Sequence, residues 1–334
     1  MSSFLKKIIP KVIEKNLSMN EAKNIFEEII SGNATESQIG AILIAMKIRK
    51  ESILEITAGV EILKKYCIKV NLPFEAIDIV GTGGDGKGTL NISTASSLVV
   101  AGCGMPVAKH GNRNLSSQSG SADVLEILGI PLNLEPKKIS ESILKSGIGF
   151  MMAPNHHPAM KNVMPARKSI GVRTIFNILG PLANPANVKY QLTGCYDEKL
   201  LNPMIHTLKN LNTKGAWLVY GTDGTDEISI SGATKVIELK NGFFKEFMLK
   251  PEDFGFPLSP LSEIKGKDPQ YNAQQIRSLL NGDLSSYRNS VIMNSSSALY
   301  ISGKAKTLHE GIEMAKNSID SGKALNSLKI ASSF

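Results

Sequence analysis

The run Val80-Gly81-Thr82-Gly83-Gly84-Asp85 sets three glycines in four positions between an apolar stretch and a polar one. Glycines let backbone N–H groups approach an anion with no Cβ in the way. Asn91-Ile92-Ser93-Thr94 follows, and a helical pattern begins at Ala95. A strand, a glycine turn and a helix start carrying Ser and Thr suit a phosphate group. The run is not a P-loop, because no Gly-Lys-Ser/Thr follows at that spacing. It is not a dinucleotide fingerprint either, because Gly81-x-Gly83-x-x-Gly86 leads into Lys87-Gly88-Thr89 rather than directly into a helix. A plain tight turn is the competing reading.

Lys109-His110-Gly111-Asn112-Arg113 continues as Asn114-Leu115-Ser116-Ser117-Gln118-Ser119-Gly120-Ser121, gathering two cations, two glycines and four serines. Cationic charge, close backbone approach and neutral hydroxyls are what a polyphosphate needs. The alternative is a polar surface loop, with Ser121 capping a helix. Gly221-Thr222-Asp223-Gly224-Thr225-Asp226-Glu227 offers three carboxylates in five residues. Magnesium favours such hard oxygen ligands, few from protein and the rest from water and phosphate; an Asp-Gly turn is the alternative. His156 and His157 are adjacent but have no spaced His or Cys partner, so zinc is not expected. Arg167 could clamp a carboxylate or lie on a helix surface. Arg173 through Pro185 reads as a helix ending at Gly180-Pro181, with no chemistry legible in it.

The elements that must carry these residues follow from length and periodicity. The chain has 334 residues, 42% hydrophobic and 20% charged, which suits two domains. No stretch approaches the ~18 apolar residues of a membrane helix. The first sixteen residues interleave four lysines with apolar residues and lack the features of a secretory signal. Cys67, Cys103 and Cys195 fit unpaired thiols in a reducing cytoplasm. The net charge is +8 and the pI about 9.2. The lysines are dispersed, which favours a solvated surface over a nucleic-acid stripe.

Residues 1–70 read as a small helical domain with three capping boxes: Ser18 with Glu21, Thr35 with Gln38, and Ser52 with Glu55. The helix with Ile39, Ile42, Leu43 and Met46 is apolar over much of its girth, so a subunit contact is expected there. Asn71-Leu72-Pro73 breaks the pattern. Residues 74–334 then alternate strands (76–80, 106–109, 148–152, 190–195, 216–220) with helices (94–101, 122–128, 136–145, 198–211). This predicts an α/β domain with a mainly parallel sheet. Asn241-Gly242 marks a hairpin, and a helical cluster closes the chain. Part of 155–185 is expected to join the small domain.

In this order the motifs resemble those of the anthranilate phosphoribosyltransferase family, over essentially the whole chain. The segments are 80–85, 91–94, 109–113, Ser119-Gly120-Ser121-Ala122-Asp123, Arg173-Thr174-Ile175-Phe176-Asn177 through Pro185, and Asp226-Glu227-Ile228-Ser229. Asn114-Leu115 is bulkier than the small residues such a loop leads one to expect. The resemblance implies phosphoribosyl transfer from phosphoribosyl pyrophosphate (PRPP) to anthranilate in a cytoplasmic homodimer joined through the small domains, with two magnesium ions per monomer. It implies that PRPP is held by Gly81, Gly84, Asp85, Thr89, Asn91, Ile92, Ser93, Thr94, Lys109, His110, Gly111, Asn112, Arg113, Asn114, Leu115, Ser116, Ser117 and Ser121. It implies anthranilate against Gly81, His110, Asn112 and Arg167, and magnesium on Ser93, Asp226 and Glu227. Lys109, Arg113, Asp226 and Glu227 are then the catalytic groups. Two rivals share the architecture: pyrimidine nucleoside phosphorylases, expected to carry a further C-terminal domain, and a non-catalytic nucleic-acid-binding relative.

Overall fold

A computed structural model describes residues 2–113 and 119–334. Four helices open the chain: α1 (Ser3–Glu14), α2 (Met19–Ile30), α3 (Glu36–Arg49) and α4 (Ile53–Tyr66). All three capping boxes form, each Ser or Thr accepting an amide while Glu21, Gln38 or Glu55 reaches back to the cap. They satisfy N–H groups that a helix start leaves without partners.

The second half builds β1 (Ile77–Gly81), α5 (Ile92–Gly102), β2 (Val107–Gly111), α6 (Ser121–Ile127), α7 (Pro136–Ser146) and β3 (Ile148–Met152). Next come α8 (Ala153–His156), α9 (Met164–Ile170), α10 (Ile175–Leu182), β4 (Tyr190–Gly194), α11 (Leu201–Asn210) and β5 (Gly215–Gly221). The hairpin β6 (Thr234–Lys240) and β7 (Phe243–Leu249) precedes α12 (Pro269–Leu280), α13 (Ser286–Ile301), α14 (Leu308–Asp320) and α15 (Lys323–Ala331). The sheet order is β3-β2-β1-β4-β5-β6-β7, parallel from β3 to β5 and antiparallel at the hairpin. The protein is thus a helical N-terminal domain followed by a large α/β domain with a mostly parallel sheet and C-terminal helices.

Three sequence expectations shift. α5 starts at Ile92, not Ala95, so Ser93 lies in its first turn. α10 runs through Gly180-Pro181 to Leu182, because a proline six residues into a short helix takes an N–H from only one late bond. Residues 198–211 divide into a 3-10 turn (Glu198–Leu200) and α11.

Alternating side chains send the two faces of the sheet into different cores. Trp217 and Val219 join the core under α5 and α12 to α15, while Ala216 and Leu218 join the one shared with α1 to α4, α9, α10 and α11. The apolar girth of α3 is covered within the chain, by α1 on one side and α9 and α10 on another. That burial is therefore supplied by α1 together with segments arriving from the α/β half. Ile48 (78% exposed) and Ile13 (61% exposed) still face outward from this domain.

α4 docks on α10 through Gly59. A Cβ there would stand 2.8 Å from Leu179 Cδ1 and 3.1 Å from Phe26. Gly59→Val is expected to cost about 1–3 kcal/mol by over-packing, read as a fall in the thermal unfolding midpoint. An unchanged midpoint would show that this contact is loose.

Candidate active site

β1 and β4 lie side by side, but the chain leaves them in opposite directions across the sheet. That reversal opens a crevice at their C-terminal ends, the usual place for a ligand in such a sheet. The register pairs Gly81 with Gly194 there. A Cβ on Gly81 would overlap the Asp226 carboxylate, and one on Gly194 would overlap the Asp226 backbone carbonyl. Asp226 therefore lies directly over the two strand ends.

The sequence-predicted groups converge on it. Gly83 N–H donates to Asp226 Oδ2 at 2.8 Å. Ser93 N–H donates to Glu227 Oε1 at 3.2 Å. Lys109, 2% exposed, donates through Nζ to the Ile79 carbonyl at 2.6 Å and to Ser93 Oγ at 3.4 Å. Asp85 Oδ1 accepts the Lys87 N–H at 3.0 Å. Gly83, Gly84, Gly86 and Gly88 all have positive φ, which lets the loop fold back over the crevice.

Burial, then the Asp85 charge, pushes the Asp226 carboxyl up to about 7. Burial, then Asp226, pushes Glu227 well above the usual carboxylate range, against the pull of Lys109. Burial lowers the Lys109 ammonium while Asp78 and Glu227 oppose the shift. Two buried carboxylates with one shared lysine are short of positive charge, and hard oxygen ligands fit magnesium. Among the described residues no three His, Cys, Asp or Glu side chains form a ready-made metal cage. The fit is to an ion that takes its remaining ligands from water and substrate oxygens.

A second group sits beside the first and meets α10. His110 is buried, its ring 5.2 Å from that of His157, with Nε2 unpartnered. Burial, then the neighbouring histidines, drops it to about 3, so the imidazole is neutral; a hydrogen bond to Gly180 partly opposes this. Arg167 on α9 reaches Asn177 Oδ1 at 3.4 Å and lies 5.7 Å over the Phe176 ring. Asn177 and Gly180 are three apart on one helix face, so α10 brings His110 and Arg167 toward the same surface.

Other expected residues serve differently. The Ile92 side chain belongs to the core and its N–H donates to the Leu90 carbonyl, so Ile92 offers neither to a ligand. The Arg113 guanidinium is engaged by Asp123 and Glu126 of α6, at 3.0 and 2.9 Å, because α6 presents both acids to the loop. Asn112 Oδ1 accepts the Arg113 N–H, and Ser121 Oγ donates to the Asn112 carbonyl. Gly111 needs to be glycine, since a Cβ would meet Ser121 Oγ and stand 2.8 Å from Phe150. Thr94 Oγ1 is buried without a partner. Asn91 links Ser119 and Asn272, and Thr89 bridges to Lys265. Asn114, Leu115, Ser116 and Ser117 lie outside the described residues.

Sequence reasoning missed several supports. Arg173 donates to the Gly84 carbonyl and stacks 4.0 Å over Tyr196. Lys265 Nζ donates to the Lys87 carbonyl at 2.8 Å. Asp78 accepts from Asn184 Nδ2 at 2.7 Å, tying β1 to the loop after α10. A lone Asp in the apolar run 77–80 was the one visible signal among these.

A helical bundle joined to an α/β sheet, with glycines and carboxylates at the reversal point, defines a class of transferase. The chain matches the helical bundle domain of the glycosyl transferase family over residues 2–67 and its a/b domain over 74–325. It is 49% identical to an anthranilate phosphoribosyltransferase of Parvibaculum lavamentivorans, over 97% of this chain and 95% of that protein. A relative of the same name from Rhodopseudomonas palustris is 48% identical over 97% and 96%. The crystal structure of the Thermus thermophilus anthranilate phosphoribosyltransferase superposes with TM-score 0.93, at 36% identity and 99% coverage of both chains. The Saccharomyces cerevisiae enzyme in complex with PRPP and Mg gives 0.90, at 26% identity, covering 100% of this chain and 99% of that one. The chain belongs to the glycosyl transferase family and, within it, to the anthranilate phosphoribosyltransferases.

A metal ion held by Asp226 would have to displace any proton from its carboxyl. With the carboxyl raised to about 7, the protonated share grows as pH falls. Apparent affinity for magnesium alone should therefore weaken below pH 7, approaching about tenfold per unit for one proton released. Calorimetric titration at pH 6 and pH 8 checks this; equal affinities would refute it.

Proposed function

We propose that this protein transfers the 5-phosphoribosyl group of PRPP to the amine of anthranilate, giving N-(5-phosphoribosyl)anthranilate and pyrophosphate, the second step of tryptophan biosynthesis from chorismate. The observation that carries the reading is Asp226 seated over Gly81 and Gly194, with the Gly83 N–H, Glu227, Ser93 and Lys109 around it. Family membership agrees with it.

In this reading Asp226, Glu227 and Ser93 hold magnesium, directly or through water, with two ions per monomer. Bound there, the metal neutralises diphosphate charge and the charge that builds as the leaving group departs. Glycine-loop N–H groups, Thr89, Asn91 and Thr94 take phosphate and ribose oxygens, and buried Lys109 adds a fixed positive potential beneath them. Arg113 joins by exchanging Asp123 and Glu126 for the diphosphate. The C1–oxygen bond to pyrophosphate breaks, the nitrogen–C1 bond forms, and the amine proton is released. Anthranilate's amine is neutral at pH 7, so positioning does much of the work. Arg167, held by Asn177 Oδ1 and over the Phe176 ring, meets the anthranilate carboxylate, while neutral His110 and Asn112 line the ring.

The exposed Ile13 and Ile48 support a homodimer joined through the helical domains. Three free cysteines suit a cytoplasmic protein. No helix among the described residues is long and apolar enough to cross a membrane.

Loss of anthranilate fluorescence on mixing with PRPP and magnesium tests the activity, and omission of either should abolish it. Asp226→Asn with Glu227→Gln should slow turnover at least about a hundredfold, the scale of lost charge stabilisation; a near-normal rate would remove the pair from the chemistry. Arg167→Ala should mainly raise the KM for anthranilate, and an unchanged KM would take Arg167 out of the acceptor site.

A further inference from the structure

Helix α13 carries buried polar residues that the reaction above does not use. Asn294 is 0% exposed. Its Oδ1 accepts the Ile228 N–H at 3.2 Å, while Nδ2 donates to the Ile228 carbonyl at 3.3 Å and to the Ser290 carbonyl at 2.9 Å. Ile228 directly follows Glu227, so one side-chain amide fixes the peptide planes on both sides of Ile228, the first of which ends Glu227. Seven residues earlier, the buried Tyr287 donates its hydroxyl to the Asn91 carbonyl at 3.1 Å. Asn91 is the residue before α5, two before Ser93. Seven residues are two helical turns, so Tyr287 and Asn294 project from one face of α13. That face holds both sides of the contact between the Ser93 N–H and Glu227.

We propose that Asn294 is a positioning residue that sets the Asp226-Glu227 pair for metal, with Tyr287 setting Ser93 opposite it. A neutral amide suits the task. Aspartate would add a further acidic group close to two buried carboxyls, and alanine would leave an N–H and a carbonyl unpaired in the core. The inference rests on the metal-binding reading of the acidic pair.

Two measurements test it. Hydrogen exchange reads positioning without metal or turnover: the Ser93 and Ile228 amides should exchange faster in Asn294→Ala, with β1 and β4 amides unchanged. Manganese binding in the presence of pyrophosphate, followed by electron paramagnetic resonance, reads the consequence and should weaken about tenfold. Val291→Ala, a cavity in the same helix, controls for simple destabilisation and should leave manganese affinity within about twofold of wild type. Tyr287→Phe keeps the packing and loses one hydrogen bond, so it should weaken binding about threefold even if Asn294→Ala fails to fold. Wild-type exchange at Ser93 in Asn294→Ala, equal manganese affinity in Asn294→Ala and Val291→Ala, or unchanged binding in Tyr287→Phe would each overturn the proposal. A wild-type protein that binds manganese and pyrophosphate but does not consume PRPP would sink the proposed reaction and leave this inference standing.

Discussion

The site depends on a carboxylate being allowed to sit against two strand ends. Gly81 and Gly194 face each other in register, and only the absence of both Cβ atoms leaves room for Asp226. Once Asp226 is there, its Oδ2 takes the Gly83 N–H and the glycine loop is fixed over the crevice. Glu227 follows in the chain and meets the Ser93 N–H at the start of α5. One close approach thus assembles groups from three segments far apart in the chain.

That arrangement is electrostatically incomplete by itself. Burial raises both carboxyls, and Lys109 is already shared with the Ile79 carbonyl and Ser93. A divalent ion bound there, as the proposed reaction requires, would meet that deficit of positive charge. Stability is given up locally for preorganised ligands, as buried ionisable groups at functional sites commonly require. Side-chain amides brace the surrounding scaffold: Asn184 on Asp78, Asn272 on Asn91, and Asn294 on Ile228.

The helical domain enters through α9 and α10. These helices belong to the α/β half in sequence but pack into the core of α1 to α4. They carry Arg167 and the partners of His110, so these two side chains are positioned where the two halves of the chain meet. A change in their packing would move Arg167 and would reach the glycine loop through Arg173, which donates to the Gly84 carbonyl from the turn between α9 and α10.

The sequence alone determined which residue types were available and the order of strands and helices. Capping boxes, the 81–84 glycines, the Asn241-Gly242 hairpin and the acidic run 223–227 are local signals, readable because the physics behind them acts over a few residues. Tertiary structure decided how they were used. It turned Arg113 toward α6, put Ile92 in the core, and gave α3 its cover from α9 and α10. It also recruited Gly194, Arg173 and Asn294, whose roles come from contacts with residues tens of positions away. No local pattern encodes such a contact, because it exists only after the strands have paired and α13 has packed against them.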